Sequence, residues 1–215
     1  MKLKFDPSLQ YQQDAVVAVV GAFEGQPFVQ TGAMAMQALQ IGGLFQTELG
    51  LGNRLTIGDD EILNNVQTIQ EANEIEKIAA LAGREFSVEM ETGTGKTYVY
   101  ISTALRLAEL YGLRKFVILV HSIAIRAGVV KTFEQTEEHF RLKYPGVPYK
   151  WGVLGENSAL SDFTEPSGTV VARITTDMAA REGRGKPADY IPELAKISAD
   201  QFGIALVLQF CLQGH

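Results

Sequence analysis

Residues 86–98 read FSVEMETGTGKTY. Within them Gly93, Gly95, Lys96 and Thr97 stand in the order that a phosphate-holding loop uses. The full pattern is G-x-x-x-x-G-K-[ST]. Over Met90–Thr97 it holds everywhere but the first position, where methionine replaces glycine. The spacing has a chemical reason. Gly93 and Gly95 let the backbone curl so that its N–H groups face inward, toward an anion. A helix opening at Lys96 adds its positive end. The Lys96 ammonium is placed to reach the outer phosphates, and the Thr97 hydroxyl is the group that ligates Mg²⁺ in such loops. The competing reading is a plain glycine turn with a surface lysine. It leaves the run Thr92-Gly93-Thr94-Gly95-Lys96-Thr97 without a reason. A dinucleotide loop, G-x-G-x-x-G, would need glycine at Tyr98.

The flanks predict alternating elements. Phe86–Met90 reads as a strand and Lys96–Tyr111 as a helix ended by Gly112. Lys115–Val120 (KFVILV) is a continuous apolar run with β-branched residues, the mark of a strand buried on both faces. A helix follows over Ile123–Tyr144, then strands over Tyr149–Leu154 and Thr169–Thr175. This order implies a parallel sheet flanked by helices. Upstream, residues 9–24 read as a helix entered at Asp6-Pro7-Ser8. Residues 25–62 read as a glycine-rich insertion with a hairpin near Leu51–Ile57, and residues 59–82 as a helix capped by Gly83. Residues 183–190 (GRGKPADY) read as a loop, residues 191–197 as a short helix, and FGIALVLQF as an apolar run.

Composition sets limits. The chain has 215 residues, 46% of them hydrophobic, enough for one sizeable core. The net charge of −6 counts against a stand-alone nucleic-acid binder acting by bulk electrostatics. No stretch reaches 18 continuous apolar residues, so no membrane span is expected. Asp6, Pro7 and Asp14 break the first residues before any apolar run, so no signal peptide is expected. One cysteine, Cys211, excludes an internal disulfide and a cysteine-based zinc site. Three scattered histidines, His121, His139 and His215, make no metal-site pattern. A cytoplasmic setting follows as the default.

A loop reading x-x-T-G-x-G-K-T resembles motif I of the superfamily 2 helicases and translocases. Upstream, Leu9-Gln10-Tyr11-Gln12-Gln13-Asp14-Ala15-Val16 resembles that superfamily's L-x-x-Y-Q-x-x-A-V segment, whose glutamine reads the adenine edge. The resemblance makes Gln12 the adenine contact; a glutamine amide offers a donor and an acceptor side by side. The wider run, with FDPSLQYQQDAV, VEMETGTGKTYVY and KFVILVHSIAIRAGVVKTF, is similar to the Res subunits of type III restriction enzymes over about residues 1–175. That implies ATP and Mg²⁺ as cofactors and a partial RecA-like domain. It also implies weak DNA-backbone contacts through Ser122, Ile123 and Arg126, and a modification (DNA methyltransferase) subunit as partner. His121 stands where the family has proline.

Hydrolysis needs an acidic pair after a second buried strand. Asp59-Asp60-Glu61 follows no strand, Glu137-Glu138 falls within a helix, and Asp177 is followed by Met178 and Ala179. No catalytic residue is assigned. A second motor domain and a nuclease domain are also not found. Residues 183–207 instead resemble the N-terminal segment of bacterial glutaminases, without their S-x-x-K nucleophile. The expected organisation is an adenine-motif helix (1–24), an insertion and helix (25–83), a partial RecA-like ATP-binding domain (84–178) and a divergent tail (179–215). The expected function is the ATP-binding, DNA-associated part of a helicase-like Res subunit, without hydrolysis or DNA cleavage alone. The alternative is a non-catalytic nucleotide-binding interaction protein, or a relic of a fused gene.

Overall fold

The computed structural model describes residues 9–28, 53, 55–83, 86–91, 93–120, 122–153, 169–176 and 206–209. Thr92, His121, Asp177, the Asp6-Pro7-Ser8 helix start and the 183–197 loop and helix lie outside them. In chain order the elements are α1 (Gln10–Gly21), α2 (Asp59–Ala72), α3 (Lys96–Tyr111), β1 (Lys115–Val120), α4 (Ile123–Lys143), β2 (Tyr149–Val153), β3 (Val170–Thr176) and β4 (Leu206–Gln209).

The apolar run at β1 forms the centre of the described sheet, and all six of its residues are buried. The strand order is β2-β3-β1-β4, and each pairing is parallel. In register, Phe116 faces Ala172 on one side and Leu206 on the other. The strand expected at Phe86–Met90 is absent: these residues join no ladder. Val88 and Met90 are half-buried while Phe86, Ser87 and Glu89 are exposed. That alternation asks for an extended chain with one covered face, but it names no ladder partner. β4, from the tail, holds the place beside β1.

α3 sits apart from the sheet. Because no ladder strand precedes it among the described residues, it is not delivered to the sheet as a crossover. It packs chiefly on α1 and α4, while α4 lies on β1, β2 and β3. Leu105, Leu107, Phe116, Ile118, Phe140 and Ile174 are among the residues of one shared core.

Two joints were not foreseen. α2 ends at Ala72, not near Gly83. Glu74 takes the left-handed conformation (φ 57°). The Ile75 N–H donates to the Gln70 carbonyl and the Glu74 N–H to the Glu71 carbonyl, the two bonds of a Schellman end. Glutamate at the left-handed position hides this stop from a search for glycine. Gln67 and Gln70 then hold the chain beyond it through the carbonyl and N–H of Ile78. In the expected 51–57 hairpin, residues 55–57 are not in a strand. Asn53 is buried and braces the start of β1. Its Oδ1 accepts from the N–H groups of Arg114 (2.6 Å) and Lys115 (2.9 Å), and its Nδ2 donates to the Lys115 carbonyl (2.6 Å).

Candidate phosphate-loop site

The loop is shaped by its glycines. Gly93 and Gly95 both take positive φ, +83° and +85°, which side-chain-bearing residues adopt at a cost. Gly95 is the N-cap of α3, and no side chain caps that helix start. Its first-turn N–H groups are therefore not taken by a capping side chain, which is the condition for binding an anion there. The Thr94 hydroxyl donates back to the Glu91 carbonyl at 2.6 Å and closes the turn. Space above Gly93 is open: an added Cβ would meet nothing within 4 Å. Lys96 and Thr97 follow at the start of α3, both half-buried. Among the described residues Lys96 pairs with no carboxylate. Tyr100, one turn on from Thr97, is buried. Burial pushes its hydroxyl pKa up, and the Thr97 side chain is the opposing influence.

Gln12 arrives from α1. It is buried, and its Nε2 donates to the Thr94 carbonyl at 2.8 Å. The same amide fills the space where a side chain on Gly95 would go: a Cβ there would lie 2.5 Å from Nε2. The structure thus brings Gln12, Gly93, Thr94, Gly95, Lys96 and Thr97 together. Consecutive positions thus carry two positive-φ glycines, an uncapped helix start, an ammonium that pairs with no described carboxylate and a hydroxyl one residue on.

Ser122, Ile123 and Arg126 lie elsewhere, at the start of α4. Ser122 is its N-cap, with Oγ accepting from the Ile125 N–H at 3.2 Å. Ile123 is 61% exposed, and Arg126 is half-buried. Asp59, Asp60 and Glu61 occupy the first turn of α2, where carboxylates complement the helix dipole. Among the described residues no cluster of His, Cys, Asp and Glu forms a metal-binding group. Nor is any described helix long and apolar enough to cross a membrane.

A glycine-rich loop feeding an uncapped helix start is the local arrangement of the P-loop class. Residues 9–147 match the ResIII family, described as the res subunit of type III restriction enzymes, and the chain belongs to that family. It is 30% identical over 145 residues to the EcoPI Res subunit of Escherichia phage P1, covering 65% of this chain and 14% of that protein. It is 36% identical over 95 residues to the EcoP15I Res subunit of Escherichia coli, covering 42% of this chain and 10% of that one. The chain therefore spans about one seventh or less of the length of these relatives. A further stretch of 34 residues is 65% identical to the thermolabile glutaminase of Rhizobium etli, covering 16% of this chain and 11% of the enzyme.

Proposed function

We propose that this chain is an ATP-binding, DNA-associated module of a type III restriction Res subunit. Thr92, Gly93, Thr94, Gly95, Lys96 and Thr97 would hold the phosphates, and Gln12 would read the adenine. Thr97 would ligate Mg²⁺, which when bound neutralises phosphate charge. Gly93 and Gly95 turn N–H groups toward the anion, Lys96 supplies the fixed positive charge, and Gln12 keeps the loop in register. The observation that carries this reading is the Gln12–Thr94 hydrogen bond, which joins residues 82 positions apart. It brings the candidate adenine residue onto the phosphate loop itself.

The architecture this implies is a partial RecA-like domain. Ser122, Ile123 and Arg126, grouped at one helix start, would touch a DNA backbone, weakly in this chain alone. A modification (DNA methyltransferase) subunit would be the protein partner and the cytoplasm the setting. No residue pair here matches the acidic motif that hydrolysis uses, so nucleotide would be held without turnover or DNA cleavage. The second reading is a non-catalytic nucleotide-binding interaction protein, which the net charge of −6 would suit, or a relic of a fused or rearranged gene, which the glutaminase-like stretch favours.

The test is a titration of a fluorescent ATP analogue with Mg²⁺ into the wild-type chain and Lys96→Ala, with phosphate release followed in the presence of duplex DNA. Binding by wild type, lost in Lys96→Ala and without release, supports the proposal. Release that depends on Lys96 would mean an ATPase in its own right. No binding by either would leave the loop as a mark of ancestry.

A further inference from the structure

The stretch that holds α1 and α2 differs in charge from the rest of the chain. Between residues 9 and 76 stand nine carboxylates and one cation, Arg54, a balance of −8. The whole chain has −6, so all other residues together are +2. The two helices approach closely: a Cβ added to Gly21 would lie 3.5 Å from Ile69 Cδ1. Beside that contact lies a groove of about 800 Å³. α1 lines it from Asp14 to Gly21, and α2 with its C-cap from Glu61 to Asn73. The helical rise makes the α2 wall about 18 Å long.

The groove is rich in acceptors. Asp14, Glu24 and Glu61 line it, are exposed, and form no ion pair among the described residues. Asp14 accepts one bond, from Gln10 Nε2 at 2.7 Å. Neighbouring donors are taken up by the backbone. Asn65 Nδ2 donates to the Glu24 carbonyl and Asn73 Nδ2 to the Ile69 carbonyl, each at 2.8 Å. The Thr68 hydroxyl donates to the Asn64 carbonyl at 2.9 Å. The other end of each amide is an oxygen, which only accepts. Gly25 has φ +89°, and Glu61 Oε1 occupies the space that a side chain there would take. Apolar surface is present too: Val17 is 67% exposed, and Ala72 is exposed on the opposite wall.

These properties select the occupant. A metal ion needs its carboxylates gathered on one centre, and no such group exists among the described residues. A nucleic-acid backbone carries the wrong sign. An uncharged ligand would cover the carboxylates without pairing them. A basic peptide has both parts needed: cations for the carboxylates, and aliphatic stems or small side chains for Val17 and Ala72. We propose that the α1–α2 groove docks a lysine- or arginine-rich segment of a partner protein, with Asp14, Glu24 and Glu61 meeting successive cations. Charge complementarity of this kind gives specificity and speed of association, and it weakens with salt. The proposal stands apart from the nucleotide reading, since Gln12 is buried on α1 and does not line the groove.

The probe is a fluorescein-labelled peptide of lysine, alanine and leucine, titrated into the full chain by anisotropy. Asp14→Asn/Glu24→Gln/Glu61→Gln removes the charge at the groove. Glu76→Gln/Glu134→Gln/Glu138→Gln removes the same charge elsewhere. Ala72→Trp fills the groove at unchanged charge. The expected result is binding by wild type, weakened about tenfold by the groove triple variant through loss of three exposed ion pairs. Ala72→Trp should weaken it as well, and the remote triple variant should bind like wild type. Equal losses in the two triple variants would mean bulk attraction alone and overturn the proposal, as would no binding by wild type. Spermine seated as tightly as the peptide would make this a small-polycation site and overturn the partner. Self-association of wild type that the groove variants abolish would assign the groove to a second copy and overturn it too. If the groove triple variant fails to fold, Asp14→Asn and Ala72→Trp decide: unchanged binding in both overturns the proposal.

Discussion

The Gln12 amide spends a donor on the Thr94 carbonyl, so it can be tested apart from any contact with adenine. Gln12→Glu keeps the shape, removes the donor and sets a carboxylate against a carbonyl and an incoming phosphate. It should weaken nucleotide binding more than Gln12→Ala does, by about tenfold or more, equivalent to about 1.4 kcal/mol. Equal losses in the two variants, read by analogue titration, would show that the donor does not matter. Gly95→Ala is a second test. Its left-handed φ costs a side-chain residue about 1–2 kcal/mol, and its Cβ would displace Gln12. Nucleotide affinity should fall, and Gln12→Ala/Gly95→Ala should recover the part due to collision but not the part due to φ. At this scale much of the site was legible, because glycine, lysine and threonine carry their roles in their chemistry. The reach of Gln12 to Thr94 was not: a glutamine on a helix shows no target until the helices pack.

Helices and strands were legible where their ends are marked by residues with strong local preferences. Gly112 stops α3 at positive φ, and Ser122 caps α4. Ser122→Ala should cost about 1 kcal/mol through loss of the cap, measurable as a lower Tm. If Ser122 serves only as a cap, Ser122→Asp should retain that stability. Less legible were ends made by tertiary bonds. The stop at Glu74 uses a residue that disfavours it, and Asn53 braces β1 from within the insertion. Asn53→Ala would remove three hydrogen bonds at the start of β1, at roughly 3 kcal/mol. Chemical denaturation should show this as a lower midpoint with unchanged slope. The missing strand at Phe86–Met90 has the same origin: alternation specifies a covered face, whereas a ladder needs a partner that lies elsewhere in the chain.

At the scale of the molecule, the tail is joined to the family domain by the β1–β4 ladder, which runs from Phe116 with Leu206 to Leu119 with Gln209. Deleting residues 203–215 would bare that edge of β1, whose side chains are buried throughout. Open apolar edges pair with other chains. The shortened protein should associate in a concentration-dependent way by light scattering and melt at a lower temperature. A monomer of unchanged Tm would mean that β4 contributes nothing to the edge. The tail's likeness to glutaminases gave no hint of such a place, since the ladder depends on which edge is open and not on the ancestry of the strand that fills it.

The same ladder has a consequence in time. β1 is complete long before Leu206 has been added to the growing chain. At roughly 5–20 residues per second, an interval of order 10 s separates the two strands on the ribosome. During that interval a strand whose six residues are all buried has a vacant side. A nascent chain stalled after β3 should therefore be a preferred client of holding chaperones, and one extended past Gln209 and clear of the exit tunnel should not.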